Sequence, residues 1–91
     1  MKIYEICTYD VWGNPTDGFD VNMVYATGEM ISLTDEATLR QIIIALKNEG
    51  IIRRNCRFAT FQFAPYESDT IIYIERAKDG MPLLELRMVS E

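Results

Sequence analysis

The chain has 91 residues, 48% of them hydrophobic and 25% charged, which is the composition of one small globular domain spanning residues 1–91. Its formal charge is −5 and it contains no histidine. An acidic chain repels a phosphate backbone, which argues against non-specific nucleic-acid binding, and general acid–base catalysis lacks its commonest side chain.

Lys2–Trp12 reads as a first strand, rich in the β-branched and aromatic residues that suit a pleated surface. Apolar residues fall on both parities, Ile3, Cys7, Tyr9 and Val11 against Tyr4, Ile6 and Trp12, which predicts a central strand covered on both faces. Gly13-Asn14-Pro15 ends it and Asp17-Gly18 offers a reversal. Phe19–Ala26 then alternates, with Phe19, Val21, Met23 and Tyr25 expected on one face and Asp20 and Asn22 on the other. After Thr27-Gly28, Glu29–Leu33 is either a separate strand or a bent continuation, with Ile31 and Leu33 inward.

The helix is the clearest element. Thr38 is a good N-cap, Gln41 completes a capping box, and Leu39, Ile42, Ile43 and Leu46 form one apolar stripe. Arg40, Gln41, Lys47 and Asn48 fall on the wet side, and Gly50 occupies the position of a left-handed C-terminal residue, with Ile51 packing back. Beyond it, Cys56–Ala64 is read as a strand with Ala59, Phe61 and Phe63 on one face, Pro65–Asp69 as a turn, and Thr70–Ala77 as a strand. Lys78-Asp79-Gly80 turns the chain into Pro82–Val89, with Leu84, Leu86 and Met88 inward and Glu85 and Arg87 outward.

The order β-β-(β)-α-β-β-β predicts an α+β two-layer sandwich, a mostly antiparallel sheet of five or six strands with one helix packed on it. The opening hairpin and the helix ending Lys47-Asn48-Glu49-Gly50-Ile51 resemble a ubiquitin-like β-grasp domain over about half the chain. That likeness supplies an alternative topology and no function.

Residues 1–50 carry three cations against eight carboxylates, whereas residues 51–91 carry six of each. The asymmetry points to a basic or nucleic-acid-binding protein as partner. Cys7 and Cys56 are read as buried free thiols of a reduced compartment, and two thiols without histidine make no tetrahedral metal set. No apolar run is long enough to span a bilayer, and Lys2 leads into a strand with Glu5 rather than a signal sequence, so the expected location is the cytoplasm. No cofactor-binding or catalytic residue is assigned: there is no Gly-rich phosphate loop, Cys7 lacks an activating imidazole, and Glu67 and Asp69 sit in a turn beside Ser68.

Two segments stand out. Tyr9, Asp10, Trp12, Asn14, Asp17, Phe19 and Asp20 place the only tryptophan among turn-formers and carboxylates. They can be a hairpin corner in which Trp12 caps the sheet, or an aromatic-acidic recognition surface for a protein. A calcium loop is not indicated, since the regular ligand alternation and the closing glutamate are missing. Arg53, Arg54, Arg57 and Phe58 are the alternative, a basic-aromatic platform for single-stranded nucleic acid; otherwise they form a solvated connection whose arginines pair with the acidic first half. A chain of this size with edge strands can also pair with a second copy.

The string Tyr9-Asp10-Val11-Trp12-Gly13-Asn14, with Asp17-Gly18, Val21-Asn22 and more loosely Thr27-Gly28 and Ile31, is similar to a signature in small uncharacterised bacteriophage and mobile-element proteins. The likeness continues weakly through Ile43, Ala45, Leu46 and Gly50. It implies a phage or mobile-element setting, hence a host-cell cytoplasm, and attaches no activity. The expected function is therefore non-catalytic: an accessory protein acting through protein–protein contact on an acidic surface.

Overall fold

The computed structural model describes all residues 1–91. The elements run β1 (Lys2–Asn14), β2 (Gly18–Leu33), α1 (Leu39–Asn48), a 3-10 turn at Phe58–Thr60, β3 (Phe61–Phe63), β4 (Ile71–Arg76) and β5 (Pro82–Ser90). They form one antiparallel sheet in the order β2-β1-β5-β4-β3, with α1 laid on one face, an α+β architecture. Glu29–Leu33 is the far end of β2 rather than a sixth strand. The ubiquitin-like alternative does not form: the strands after the helix make an antiparallel meander whose last member, β5, pairs antiparallel with β1.

Local signals set the helix. The Thr38 hydroxyl accepts from the Gln41 amide at 3.2 Å, and the Gln41 side chain accepts from the Thr38 amide at 2.8 Å, so both halves of the capping box are made. At the other end Ile51 N–H donates to the Leu46 carbonyl and Gly50 N–H to that of Lys47, each at 3.0 Å, with Gly50 at φ +76°. That is the Schellman arrangement, and it needs a left-handed residue where Gly50 stands. The stripe Ile42, Ile43 and Leu46 packs on Tyr4 and Ile6 of β1, Ile31 and Leu33 of β2, Ile74 of β4, and Leu84 and Leu86 of β5.

Element lengths explain what stays uncovered. Ten helical residues span roughly 15 Å, whereas the 13 residues of β1 reach roughly 40 Å when extended, close to the 39 Å long axis of the molecule. β5 pairs with β1 only from Ile3 to Thr8. Beyond Thr8, β1 is bonded to β2 alone, so Tyr9–Val24 forms a two-stranded arm past the helix-covered body.

Two expectations about side-chain placement are corrected by irregularities. Asp10 pairs with Met23 but Val11 with Val21, so Asn22 is an extra residue in β2. This bulge inverts the alternation: Phe19 and Val21 share a face with Tyr9 and Val24, while Met23 and Tyr25 share the other with Asp10 and Trp12. The predicted strand Cys56–Ala64 is reduced to Phe61–Phe63, because the 3-10 turn interrupts the alternation; Phe61 is buried while Phe63 is exposed.

Candidate functional site

The Tyr9–Asn22 segment is the tip and both sides of the arm. At the tip the Asn14 Oδ1 accepts from the Thr16 and Asp17 amides at 3.0 and 2.9 Å, and the Asn14 Nδ2 donates to Asp17 Oδ2 at 3.0 Å. The asparagine thereby closes the turn through its own side chain. Gly13 is at φ +104°, and a Cβ there would lie 2.1 Å from the Gly18 carbonyl oxygen, so the residue is glycine for lack of space as well as for conformation.

The seven residues singled out in the sequence are split by the pleat. Asp10, Trp12 and Asp20 lie on the helix-side face of the arm, Trp12 opposite Asp20 and Asp10 opposite Met23. Tyr9 and Phe19 lie on the open face, and Asn14 and Asp17 in the turn. Trp12 is 63% exposed, well short of a buried cap on the sheet. Met23 and Tyr25 (50% and 47% exposed) join it on the helix-side face, which becomes a strip of three large apolar side chains between carboxylates. The Asp10 carboxylate accepts from the Asn22 side chain at 2.9 Å. No group of acidic and cysteine side chains in the chain is placed to hold a metal ion.

On the open face the arm curls over the body. Tyr9, Phe19 and Val24 of the arm meet Tyr73 of β4 and Glu85 of β5 around a cavity of about 310 Å³. Tyr66, from the loop before β4, packs edge-on against Tyr73 with ring centroids 5.6 Å apart. Glu85 is only 5% exposed, a correction to its expected outward position. Its Oε2 accepts from Arg87 Nε at 2.6 Å, which compensates the buried charge. Burial, reinforced by the neighbouring Glu85 carboxylate, pushes the Tyr9 phenol well above its ordinary value. Burial also raises the Cys7 thiol, keeping it a protonated and inert group. The sequence carries one hint of this wall: both parities of β1 are apolar, so the face away from the helix needs cover too.

Both cysteines are free, Cys7 buried and Cys56 half-buried. Ser68 Oγ accepts from the Thr70 and Ile71 amides, 3.2 Å each, so the Glu67–Asp69 loop is a turn fixed by its serine. Phe58 is not a free platform. Its ring packs on the core and carries the Arg40 guanidinium at 4.2 Å and the Lys47 ammonium at 4.4 Å. Arg53, Arg54 and Arg57 are exposed, but they do not pair with the acidic half as expected. The two ion pairs present, Arg76–Asp79 and Arg87–Glu85, both lie within the second half. The carboxylates of the arm are left without cationic partners.

No helix is long and apolar enough to cross a membrane. No known protein family, curated protein or solved structure matches the chain.

Proposed function

We propose that the chain is a non-catalytic accessory protein that binds a basic protein partner through the helix-side face of its β1–β2 arm. One observation carries this: Trp12, Met23 and Tyr25 stand exposed on a single face beside Asp10 and Asp20, and no cation of the chain pairs with those carboxylates. Exposed aromatic and methionine side chains supply anchors, and uncompensated carboxylates supply steering and register. The resemblance of the arm to bacteriophage and mobile-element proteins suits a host or phage protein as that partner, and the cytoplasm as the place where they meet. For single-stranded nucleic acid, three exposed arginines remain, but the ring nearest them already carries two cations of the chain itself.

The test is affinity capture from host extract at low and high salt, followed by titration of the purified partner against the wild type and an Asp10→Asn/Asp20→Asn variant. Binding should weaken steeply with salt for the wild type and less so for the variant. A partner that is acidic, or bound with equal affinity at both salt concentrations, overturns the proposal. A gel-shift with labelled single strands at low salt checks the nucleic-acid alternative.

A further inference from the structure

The two edges of the sheet are unequal. On one side β3 offers three residues, too short to template another strand, and on the other β2 offers sixteen with a partner on one side only. Natural sheets blunt such an edge with charge, proline, bulges or a covering element. Here the cover is local: α1 meets β2 at Ile31 and Leu33, near its end. Two irregularities frame a window. One is the Asn22 bulge, and the other is Gly28 at φ +83°, where Thr27 Oγ1 donates to the Ile6 carbonyl at 2.8 Å. Between them Met23-Val24-Tyr25-Ala26 has no charge and no proline, and all four residues are exposed.

We propose that this window of β2 takes up an extended segment of the partner as a sixth strand, and that the segment is a short apolar or β-branched run with lysine or arginine at both ends. The proposal rests on the docking function above and specifies its geometry. Strand addition satisfies the open backbone row of an edge, while side-chain contacts on the two faces select the sequence. The added strand would lie beside Met23 and Tyr25 on one face and beside Val24 and Ala26 on the other. Asp20 and Glu29 stand just outside the two ends of the window, and neither is ion-paired. Basic residues at both ends of the guest would therefore meet opposite charge.

The same charges argue against a second copy of the chain as the occupant. Antiparallel self-pairing about a two-fold axis at the centre of the window sets Asp20 of one copy opposite Glu29 of the other. Like charges directly opposite across strands destabilise the pair.

The experiment is an NMR titration of the isotope-labelled full chain with a capped peptide of alternating valine and threonine with lysine at each end. A matched peptide with glutamate at each end is the control. The lysine-ended peptide should shift the amides of residues 20–29 and slow hydrogen exchange at alternate amides of the window. Binding of the glutamate-ended peptide should be at least about tenfold weaker. Shifts confined to Trp12 and the 14–17 turn, with exchange of the window unchanged, would refute strand addition and leave docking on the arm face standing. No shift with the lysine-ended peptide at millimolar concentration would also refute it; salt-dependent capture of a basic partner would then still judge docking. Window amides already protected in the free chain, rising with protein concentration alongside a sedimenting dimer, would assign the edge to self-pairing and overturn the proposal.

Discussion

Replacing Trp12 by alanine separates a recognition residue from a structural one. The side chain is 63% exposed, so about a third of its surface is removed from solvent. Truncating a fully buried tryptophan costs roughly 3–5 kcal/mol, and about a third of that gives an expected loss of roughly 1–2 kcal/mol. For a domain of this size each kcal/mol lowers Tm by about 4–8 °C. Thermal unfolding of both proteins followed by far-ultraviolet circular dichroism measures the difference directly. Because the chain has one tryptophan, quenching of its fluorescence by iodide reports the exposure of that residue alone. Ready quenching and a modest loss of stability are expected, together with loss of partner binding. A protected tryptophan, or a loss in the range of full burial, would show that Trp12 holds the arm to the body and is not an anchor.

Three further outcomes follow from particular contacts. Gly50→Ala adds a Cβ with nothing within 4 Å, so it should cost only the left-handed backbone penalty, about 1 kcal/mol; Gly13→Ala adds one 2.1 Å from a carbonyl oxygen and should lower the urea midpoint considerably more. Equal midpoints would contradict the geometry of the arm tip. Arg87→Met leaves the buried Glu85 unpaired and should destabilise by roughly 2 kcal/mol, less than the roughly 3–5 of a fully buried pair because Arg87 is 47% exposed on its side chain. Adding Glu85→Gln should recover much of that loss, and a double-mutant cycle with no coupling would count against the pair. The Arg76 guanidinium, bonded to Asp79 through Nε at 2.8 Å, is the main cause holding the Asp79 carboxyl down from 3.8 to about 2. A depressed carboxyl stabilises the fold fully above its unfolded value, and that contribution is lost as pH falls through about 2. Carbon-detected titration of Asp79 should show the low midpoint, and Arg76→Gln should move it back towards the ordinary range.

What was legible in the sequence is what short-range chemistry decides. Thr38, Gln41 and Gly50 act through neighbours three to five residues away, so both helix ends are set by their own sequence. The sheet elements were legible wherever alternation ran unbroken, as at Leu84 and Leu86, both buried as expected. Phe19 and Met23 went to the wrong relative faces because a bulge has no compositional mark: Asn22 looks like any outward polar residue. Glu85 was missed for a related reason, since an outward parity says nothing of an arm that curls over that face. The aromatic-acidic strip was visible in its residue types but not in its membership, which depended on that one extra residue.

The position of β5 bears on how the molecule is made. β5 is the last strand in the chain, yet it sits in the middle of the sheet, between β1 and β4. A ribosome releases the segments before it first, so the β1–β2 ribbon and the β3–β4 pair have no backbone bridge until residues 82–90 emerge. Through that interval both strands that will flank β5 present open edges, in addition to the permanent one on β2. The risk of mispairing is therefore highest just before synthesis of this segment ends. Loss of residues 82–90 alone would leave β2-β1 and β4-β3 as two unconnected ribbons and so cut the sheet in two.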